Sequence, residues 1–162
     1  MTQYTLRTVT AADKPTVVPL LVREWGSAMV SALSIGGVID ASELPGWLAE
    51  SDGEVVGLLT YLVRGDTAEL VTINAFAGGG VGAALLTALV DECRGTGVRR
   101  IHVTTTNDNT RALRFYQRAG FRLTALWVDA VAAARKLKPE IPLRGLDDIP
   151  VRDELELVLE LP

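Results

Sequence analysis

A glycine-rich stretch, FAGGGVGAALL at residues 76–86, is the segment that most limits how this chain folds. Four of its eleven residues are glycine, three of them consecutive, and an apolar run with helical spacing follows directly. Glycine loses more conformational freedom on folding than any other residue, so such a cluster indicates special backbone angles or a close approach by another group. A glycine-rich turn between a strand and a helix predicts an anion-binding site, because the first N–H groups of the helix lack partners.

Two nucleotide-binding loops share this glycine pattern, and neither fits the chain. A P-loop needs Lys and Ser or Thr after its last glycine, whereas Val81 follows Gly80 here. A dinucleotide-binding loop has the spacing of Gly78, Gly80 and Ala83, but it follows the first strand of a parallel unit and precedes an acidic residue about 20 positions later. Residues 98–104 contain no acid, and an antiparallel meander is predicted before the loop.

Hydrophobic spacing and turn residues predict the order of the elements. We predict strands at 3–9, 47–50, 54–63, 68–76, 98–105, 121–128 and 153–161, and helices at 11–24, from 81 to a stop at 95–97, from a cap at 107 or 108 to 118, and at 129–138. Residues 26–45 are rich in Gly, Ser and Ala, and we expect a short helix or a mobile loop there. The last strand alternates acidic and apolar residues, which predicts one face in water. This order indicates an α+β fold.

The composition limits the class of protein. A chain of 162 residues with 48% hydrophobic residues is expected to form one domain over 1–162. The net charge of −4 argues against nucleic-acid binding. Cys93 and His102 are the only cysteine and histidine, so we expect no disulfide and no metal site. Without a signal-peptide pattern or a long apolar run, we expect a cytoplasmic protein that does not bind membranes, and a homodimer is compatible with the sequence.

Two motifs in the second half of the chain resemble those of the GNAT superfamily of N-acetyltransferases. That family binds acetyl-CoA with a loop of the form Q/R-x-x-G-x-G/A, which Gly80 and Gly82 match, although Ala77 stands at the Gln/Arg position. A later helix of the family carries N-x-x-A-x-x-x-Y-x-x-x-G-F, and its named positions match at Asn109, Ala112, Tyr116, Gly120 and Phe121. The resemblance covers residues 54–128 well. It implies a mixed, mostly antiparallel central sheet flanked by helices, with parallel strands that splay apart at the cofactor site.

The resemblance also implies where acetyl-CoA binds. The pantetheine arm would pair with main-chain groups near Ile73 and Ala75, in the gap between the strands at 68–76 and 98–105. The pyrophosphate would rest on backbone N–H groups of Gly78, Gly79, Gly80, Val81, Gly82 and Ala83, where a Cβ on the glycines would block its approach. Asn109 would contact pantetheine, and capping of the helix start is the alternative.

The same resemblance suggests the catalytic groups. Tyr116 would be the general acid that protonates the leaving thiolate, and a core aromatic is the alternative, compatible with that role. Glu69 is the candidate base, acting through water, and a solvated carboxylate at a strand edge is its alternative. Glu24 and Glu43 are weaker candidates. His102 lies mid-strand and is interpreted as a packed strand residue rather than a base.

Other conspicuous residues have more than one interpretation. Arg111, Arg114 and Arg118 recur at helical spacing and are expected on a solvated face, and one of them is a candidate contact for the CoA 3′-phosphate. Trp25 and Trp47 either wall the acceptor site or pack in the core. The predicted function is transfer of an acetyl group from acetyl-CoA to a primary amine of a small molecule or a peptide. The alternatives are a non-catalytic acyl-CoA-binding module and an interaction domain that has kept the fold.

Overall fold

A computed structural model describes residues 3–162, apart from the side chain of Leu33. The strands are β1 (Thr5–Thr8), β2 (Met29–Ala32), β3 (Gly37–Asp40), β4 (Gly46–Ser51), β5 (Glu54–Arg64), β6 (Thr67–Ala75), β7 (Arg100–Thr106), β8 (Arg122–Trp127) and β9 (Glu154–Glu160). The helices are α1 (Lys14–Trp25), α2 (Val81–Cys93), α3 (Thr110–Arg118) and α4 (Ala130–Leu137). Short 3-10 turns occupy Ala11–Asp13, Leu33–Ile35, Ala41–Glu43 and Leu146–Asp148.

Within the described residues, seven strands form a mixed sheet in the order β1-β4-β5-β6-β7-β9-β8. Its neighbouring strands run antiparallel except β6 and β7, which are parallel. Helices flank the sheet, so the predicted α+β class with a mostly antiparallel mixed sheet is confirmed. The predicted meander is β4-β5-β6, and its first turn holds Asp52 and Gly53 at φ of 51° and 81°, angles that suit a tight hairpin turn.

The parallel strands β6 and β7 separate at their carboxyl ends, as expected. Their register runs from Thr67 opposite Arg100 to Leu70 opposite Val103, and it stops there although both strands continue. On its other side β6 is bulged at the same point, because Tyr61 of β5 faces Leu70 while Thr60 faces Thr72. A bulge bends its strand and increases the local twist. The extra residue in β6 therefore turns the strand away from β7 and opens a gap.

Two hydrophobic clusters cover the two faces of this sheet. One lies between the sheet and α2 and α3, where Leu85 and Leu89 are fully buried and Tyr116 is nearly so. The other lies under α1 and the segment that carries β2 and β3, and it includes Val17 and Leu21 of α1. Burial of an apolar side chain of this size stabilises the fold by about 1.5–3 kcal/mol. The clusters hold β6 from both faces and β7 from the face under α2 and α3, so rigid elements fix the gap.

The prediction of a short helix or mobile loop at residues 26–45 was wrong. The strands β2 and β3 form an antiparallel hairpin, with Met29 opposite Asp40 and Ala32 opposite Gly37. Small residues gave this segment little strand propensity, and strand formation depends on packing more than on intrinsic preference. Val30 and Ile35 supply that packing, because both are buried in the cluster under α1.

The last strand also differs from its prediction. Strand β9 lies inside the sheet, between β7 and β8, rather than with one face in water. Glu154 is buried, and the side chain of Glu156 is only 16% exposed. Glu154 and Glu156 therefore face protein groups, whereas Glu160 at the end of the strand is exposed. The two enclosed carboxylates place negative charge beside the end of β7.

Candidate functional site

The glycine loop leads from β6 into α2 with left-handed backbone angles. Gly79 and Gly80 have φ of 76° and 82°, and Gly80 is the residue that precedes the first turn of α2. Residues other than glycine rarely adopt these angles. A Cβ at Gly82 would lie 3.5 Å from the Phe115 ring, which is an ordinary van der Waals contact, so packing does not require glycine there. Gly78 lies in open space, so close approach by another group would explain glycine at both positions.

These angles predict that Gly80→Ala destabilises the protein while Gly78→Ala does not. The positive φ at Gly80 costs a residue with a Cβ about 1–2 kcal/mol, whereas a Cβ at Gly78 meets no atom within 4 Å. Urea denaturation of the two variants measures the difference in the free energy of unfolding. Equal stability of the two variants would show that the loop does not hold Gly80 in the left-handed region.

Between the separated ends of β6 and β7 lies a cavity of about 450 Å³, called here the β6–β7 gap. The predicted site residues that line it are Ile73, Ala75, Gly82, Asn109 and Tyr116. Gly78, Gly79 and Gly80 lie exposed in the loop that leads from the end of β6 to α2. Val81 is buried in the core, and Ala83 lines a separate surface hollow beside α3. For these two residues only the backbone groups remain candidates for ligand contact.

Tyr116 is held in the core beside the gap. Its residue is 5% exposed, and its ring contacts Phe115 and Phe121, each at a centroid distance of 5.4 Å. Burial raises the pKa of the Tyr116 phenol well above its ordinary value. The hydroxyl therefore keeps its proton at neutral pH, which is the state that a proton donor needs.

Asn109, rather than residue 107 or 108, is the cap of α3. Its side-chain oxygen accepts a hydrogen bond of 3.1 Å from the backbone N–H of Ala112. Such a cap stabilises a helix by about 1 kcal/mol. Asn109 also lines the gap, so capping and ligand contact are compatible at this residue.

Glu69 is a buried carboxylate in the fork where β6 and β7 part, and it is not the solvated strand-edge group considered as its alternative. It is 8% exposed. Its Oε1 accepts a hydrogen bond of 2.8 Å from the Ser34 hydroxyl, and its Oε2 lies 2.8 Å from Nδ1 of His102. A cavity of about 100 Å³, called here the fork cavity, is lined by Glu69 and the ends of both strands.

His102 is not simply a packed strand residue. Its other ring nitrogen, Nε2, lies 3.4 Å from Oε2 of Glu156 on β9. Burial lowers the pKa of His102, but the hydrogen bond and charge of Glu69, with those of Glu156, outweigh burial and raise the pKa above its ordinary value. Sequence reasoning missed this contact because it depends on three strands that are distant in the chain.

A larger cavity of about 660 Å³, called here the tail cavity, adjoins the fork and is lined partly by residues after α4. Trp25 and Asn109 line the gap, the fork cavity and the tail cavity, so these three spaces are neighbours. The Trp25 indole donates a 2.7 Å hydrogen bond to Asn74 of β6. Lys138 donates to the carbonyls of Trp25 and Met29 at 3.1 and 3.0 Å, and burial lowers its pKa.

The carboxylates that line the tail cavity are Glu24, Asp108, Glu140 and Glu154. Among the described residues that line the tail cavity, Lys138 is the only basic one. Its ammonium already donates hydrogen bonds to two backbone carbonyls. Opposite charge favours a cationic group in such a space. Sequence reasoning named Glu24 from this set as a candidate base and missed the others, because segments distant in the chain bring these carboxylates together.

Two other candidates lie elsewhere. Trp47 is buried in the core and stacks on Tyr61 at a centroid distance of 5.4 Å, so it packs rather than walls a cavity. Glu43 forms an ion pair with Lys14 on the surface. Neither residue lines the gap, the fork cavity or the tail cavity.

Cations lie beside the glycine loop although the loop itself carries none. The Arg23 guanidinium of α1 lies 4.7 Å from the ring centroid of Phe76, the residue directly before the loop. Its Nε also bonds to Glu24 at 2.6 Å. Of the three helical arginines, Arg111 lines the gap. The fold therefore brings the guanidinium of Arg23 next to the start of the glycine loop and that of Arg111 to the gap.

None of the helices in residues 3–162 combines the length and the apolar character that a membrane crossing needs.

Comparison with known proteins identifies relatives that match most of this chain. A protein from Bacillus subtilis (strain 168), named "Uncharacterized protein YxbD", is 43% identical over 141 residues, which is 86% of this chain and 87% of that protein.

Solved structures share the fold at lower sequence identity. An "IAA acetyltransferase from Bacillus cereus ATCC 14579" superposes with a TM-score of 0.76 at 23% identity, over 98% of this chain and all of that one. A "GNAT family acetyltransferase from Elizabethkingia anophelis with acetyl-CoA bound" superposes with a TM-score of 0.73 at 22% identity, over 98% of each chain. The model of the Acetyltransferase (GNAT) family matches residues 14–121, which include the glycine loop and the helix motif. The chain belongs to the GNAT acetyltransferase family.

Proposed function

We propose that residues 1–162 act as one GNAT domain that transfers the acetyl group of acetyl-CoA to a primary amine of a small molecule or a peptide. The observation that carries this proposal is the β6–β7 gap, which is lined by the end of β6 that leads into the glycine loop and lies next to the fork cavity that holds the buried Glu69. Acetyl-CoA is long and narrow, with phosphates at one end and the reactive thioester at the other. The phosphates would lie at the glycine loop, and the thioester would lie towards Glu69.

The cofactor would lie along the free side of β6. Beyond Leu70 the register with β7 ends, so backbone groups near Ile73 and Ala75 can pair with the amides of pantetheine as an added strand would. The pyrophosphate would bind the N–H groups of Gly78, Gly79, Gly80 and the start of α2, where the helix dipole favours negative charge. Arg23 would add a cation near the same position.

In this proposal Glu69 and Tyr116 carry the proton transfers at the amine and at the sulfur. The substrate ammonium loses one proton to Glu69, directly or through one water, and the neutral nitrogen then attacks the thioester carbon. The C–S bond breaks, the sulfur takes the proton of the Tyr116 hydroxyl, and the acetylated nitrogen loses its second proton to water. Tyr116 regains a proton from solvent and Glu69 releases its proton to solvent, so the products are an N-acetylated amine, CoA and one proton.

Direct transfer, without an acetylated enzyme intermediate, fits the described residues. The sequence contains one cysteine, Cys93. It is the last residue of α2, and it is buried in the core with 2% of its surface exposed. Burial raises the pKa of its thiol, and a neutral, enclosed thiol is a poor nucleophile. The amine and acetyl-CoA would therefore bind together before reaction.

The acceptor would enter through the tail cavity, whose carboxylates suit the ammonium form of an amine. An assay of CoA release over a panel of amines and peptides tests the proposal, with mass spectrometry of the product. A gain of one acetyl group on an amine supports it.

A second candidate function, a non-catalytic acyl-CoA-binding module, is favoured by the lack of Lys and Arg in residues 72–88. Binding of acetyl-CoA without transfer to any amine would support that candidate.

The missing cation of the loop predicts that Ala77→Arg tightens CoA binding about two- to fivefold. An exposed charge contact contributes up to about 1 kcal/mol, and the gain should shrink as salt is added. Titration calorimetry with CoA measures the effect, and Ala77→Leu is the control for added bulk.

Arg23→Gln should weaken CoA binding by a similar factor. If Ala77→Arg has no effect while Arg23→Gln weakens binding, Arg23 already supplies the charge. No change in either variant would contradict the placement of the pyrophosphate at this loop.

A further inference from the structure

We propose that His102 is a positioning residue that fixes the carboxylate of Glu69, and that Glu156 is the charge partner which keeps the His102 ring in place. The inference rests on the proposed function, because it assigns a role relative to the base of that reaction. It goes beyond that function by making the imidazole–carboxylate pair, rather than Glu69 alone, the unit that performs proton removal.

The geometry fixes both carboxylate oxygens of Glu69. Ser34 donates its hydroxyl proton to Oε1 at 2.8 Å, and Nδ1–H of His102 donates to Oε2 at 2.8 Å. The Ser34 hydroxyl also lies 2.7 Å from the Thr104 hydroxyl. A carboxylate oxygen accepts more than one hydrogen bond, so Glu69 keeps capacity for the proton of a substrate or a water. Its side chain has little freedom left to turn away from the fork cavity.

The ring of His102 is held between two negative groups. Glu69 faces it from β6 and Glu156 from β9, and the hairpin turn contributes the neutral Ser34. On β7 itself, the nearest charged residue, Arg100, pairs with Asp66. The 2.8 Å contact at Nδ1 is shorter than the 3.4 Å contact at Nε2. On deprotonation the ring should therefore lose the Nε2 proton and keep the Nδ1 proton on Glu69.

The raised pKa of His102 gives the arrangement a pH dependence with a definite sign. The folded protein binds the ring proton more tightly than the unfolded chain does. The stabilisation is complete below the unfolded pKa of about 6.5 and is lost as pH rises through the higher folded value. Across the same pH range, the positive charge beside Glu69 disappears while the Nδ1–H contact remains.

Kinetics of two matched variants separate positioning from bulk packing. His102→Leu keeps much of the volume but removes both ring nitrogens, and kcat should fall up to about 100-fold with KM for acetyl-CoA unchanged. His102→Asn keeps a donor at the position of Nδ1, and it should recover most of that loss. The pH profile of kcat for His102→Asn should lack the inflection of the imidazole. A wild-type kcat in His102→Leu, or equal losses in both variants, would overturn the positioning role.

A proton NMR titration reads the pair directly, because His102 is the only histidine of the tag-free chain. Its ring pKa should exceed about 6.5 and should fall in Glu69→Gln and in Glu156→Gln. Glu160→Gln, an exposed carboxylate on the same strand, is the matched control and should leave the pKa unchanged. An ordinary pKa that neither Glu69→Gln nor Glu156→Gln shifts would overturn the proposal while the proposed function stands. If the wild-type protein acetylates no amine, the proposed function fails, and the positioning role fails with it.

Discussion

Tyr116→Phe should lower kcat at least about 100-fold and leave KM for acetyl-CoA nearly unchanged. Removal of a general acid typically costs about 10²- to 10⁴-fold in rate, and this variant removes the proton donor without changing the shape of the ring. The ring contacts with Phe115 and Phe121 stay, so the fold should persist. Steady-state release of CoA with a reactive amine measures both constants.

Tyr61→Phe is the matched control for that experiment. Tyr61 is a partly buried tyrosine of the same core, stacked on Trp47 and outside the β6–β7 gap. Its variant should keep wild-type kcat. If Tyr116→Phe matched the wild-type protein across the pH range, Tyr116 would be a core aromatic and another group would protonate the thiolate.

Glu69→Gln should lower kcat about 100-fold near neutral pH, because the amine then has no base to accept its proton. The loss should shrink at high pH, where the free amine is already neutral. Glutamine keeps the size of the side chain, and Ser34 still has an oxygen to donate to. Initial rates between neutral and alkaline pH, at saturating acetyl-CoA, give the comparison.

Glu43→Gln controls for the loss of a carboxylate, since Glu43 lies on the surface beside Lys14. It should leave the rate unchanged. A constant ratio between wild-type and Glu69→Gln rates at every pH would contradict the base role. Glu69 would then serve the structure of the fork.

Local signals predicted those parts of the site that lie on consecutive residues. The glycine cluster at 77–80 predicts special backbone angles, and Gly79 and Gly80 adopt positive φ angles that few other residues adopt. The helix motif could be recognised because Asn109 caps α3 and Tyr116 faces the core about two turns later, a spacing that follows from the helical period. The meander was readable from short turns with glycine.

The missed features depend on contacts between distant segments. No local pattern places β9 between β7 and β8, so the acidic alternation appeared to face water instead of His102. The bulge opposite Tyr61 leaves no mark in composition, yet it opens the gap. Lys138 lies more than a hundred residues after Trp25 and Met29, whose carbonyls it binds. Packing energy, rather than intrinsic propensity, decides these positions.

The central claim is that acetyl-CoA occupies the β6–β7 gap, and titration calorimetry tests it most directly. Acetyl-CoA should bind the wild-type protein at one site. Ala75→Trp, which fills the gap, should abolish binding, whereas Thr87→Trp, which adds the same bulk on an exposed part of α2 outside the gap, should not. Equal affinity in Ala75→Trp and wild-type protein, or no wild-type binding at millimolar acetyl-CoA, would contradict the account.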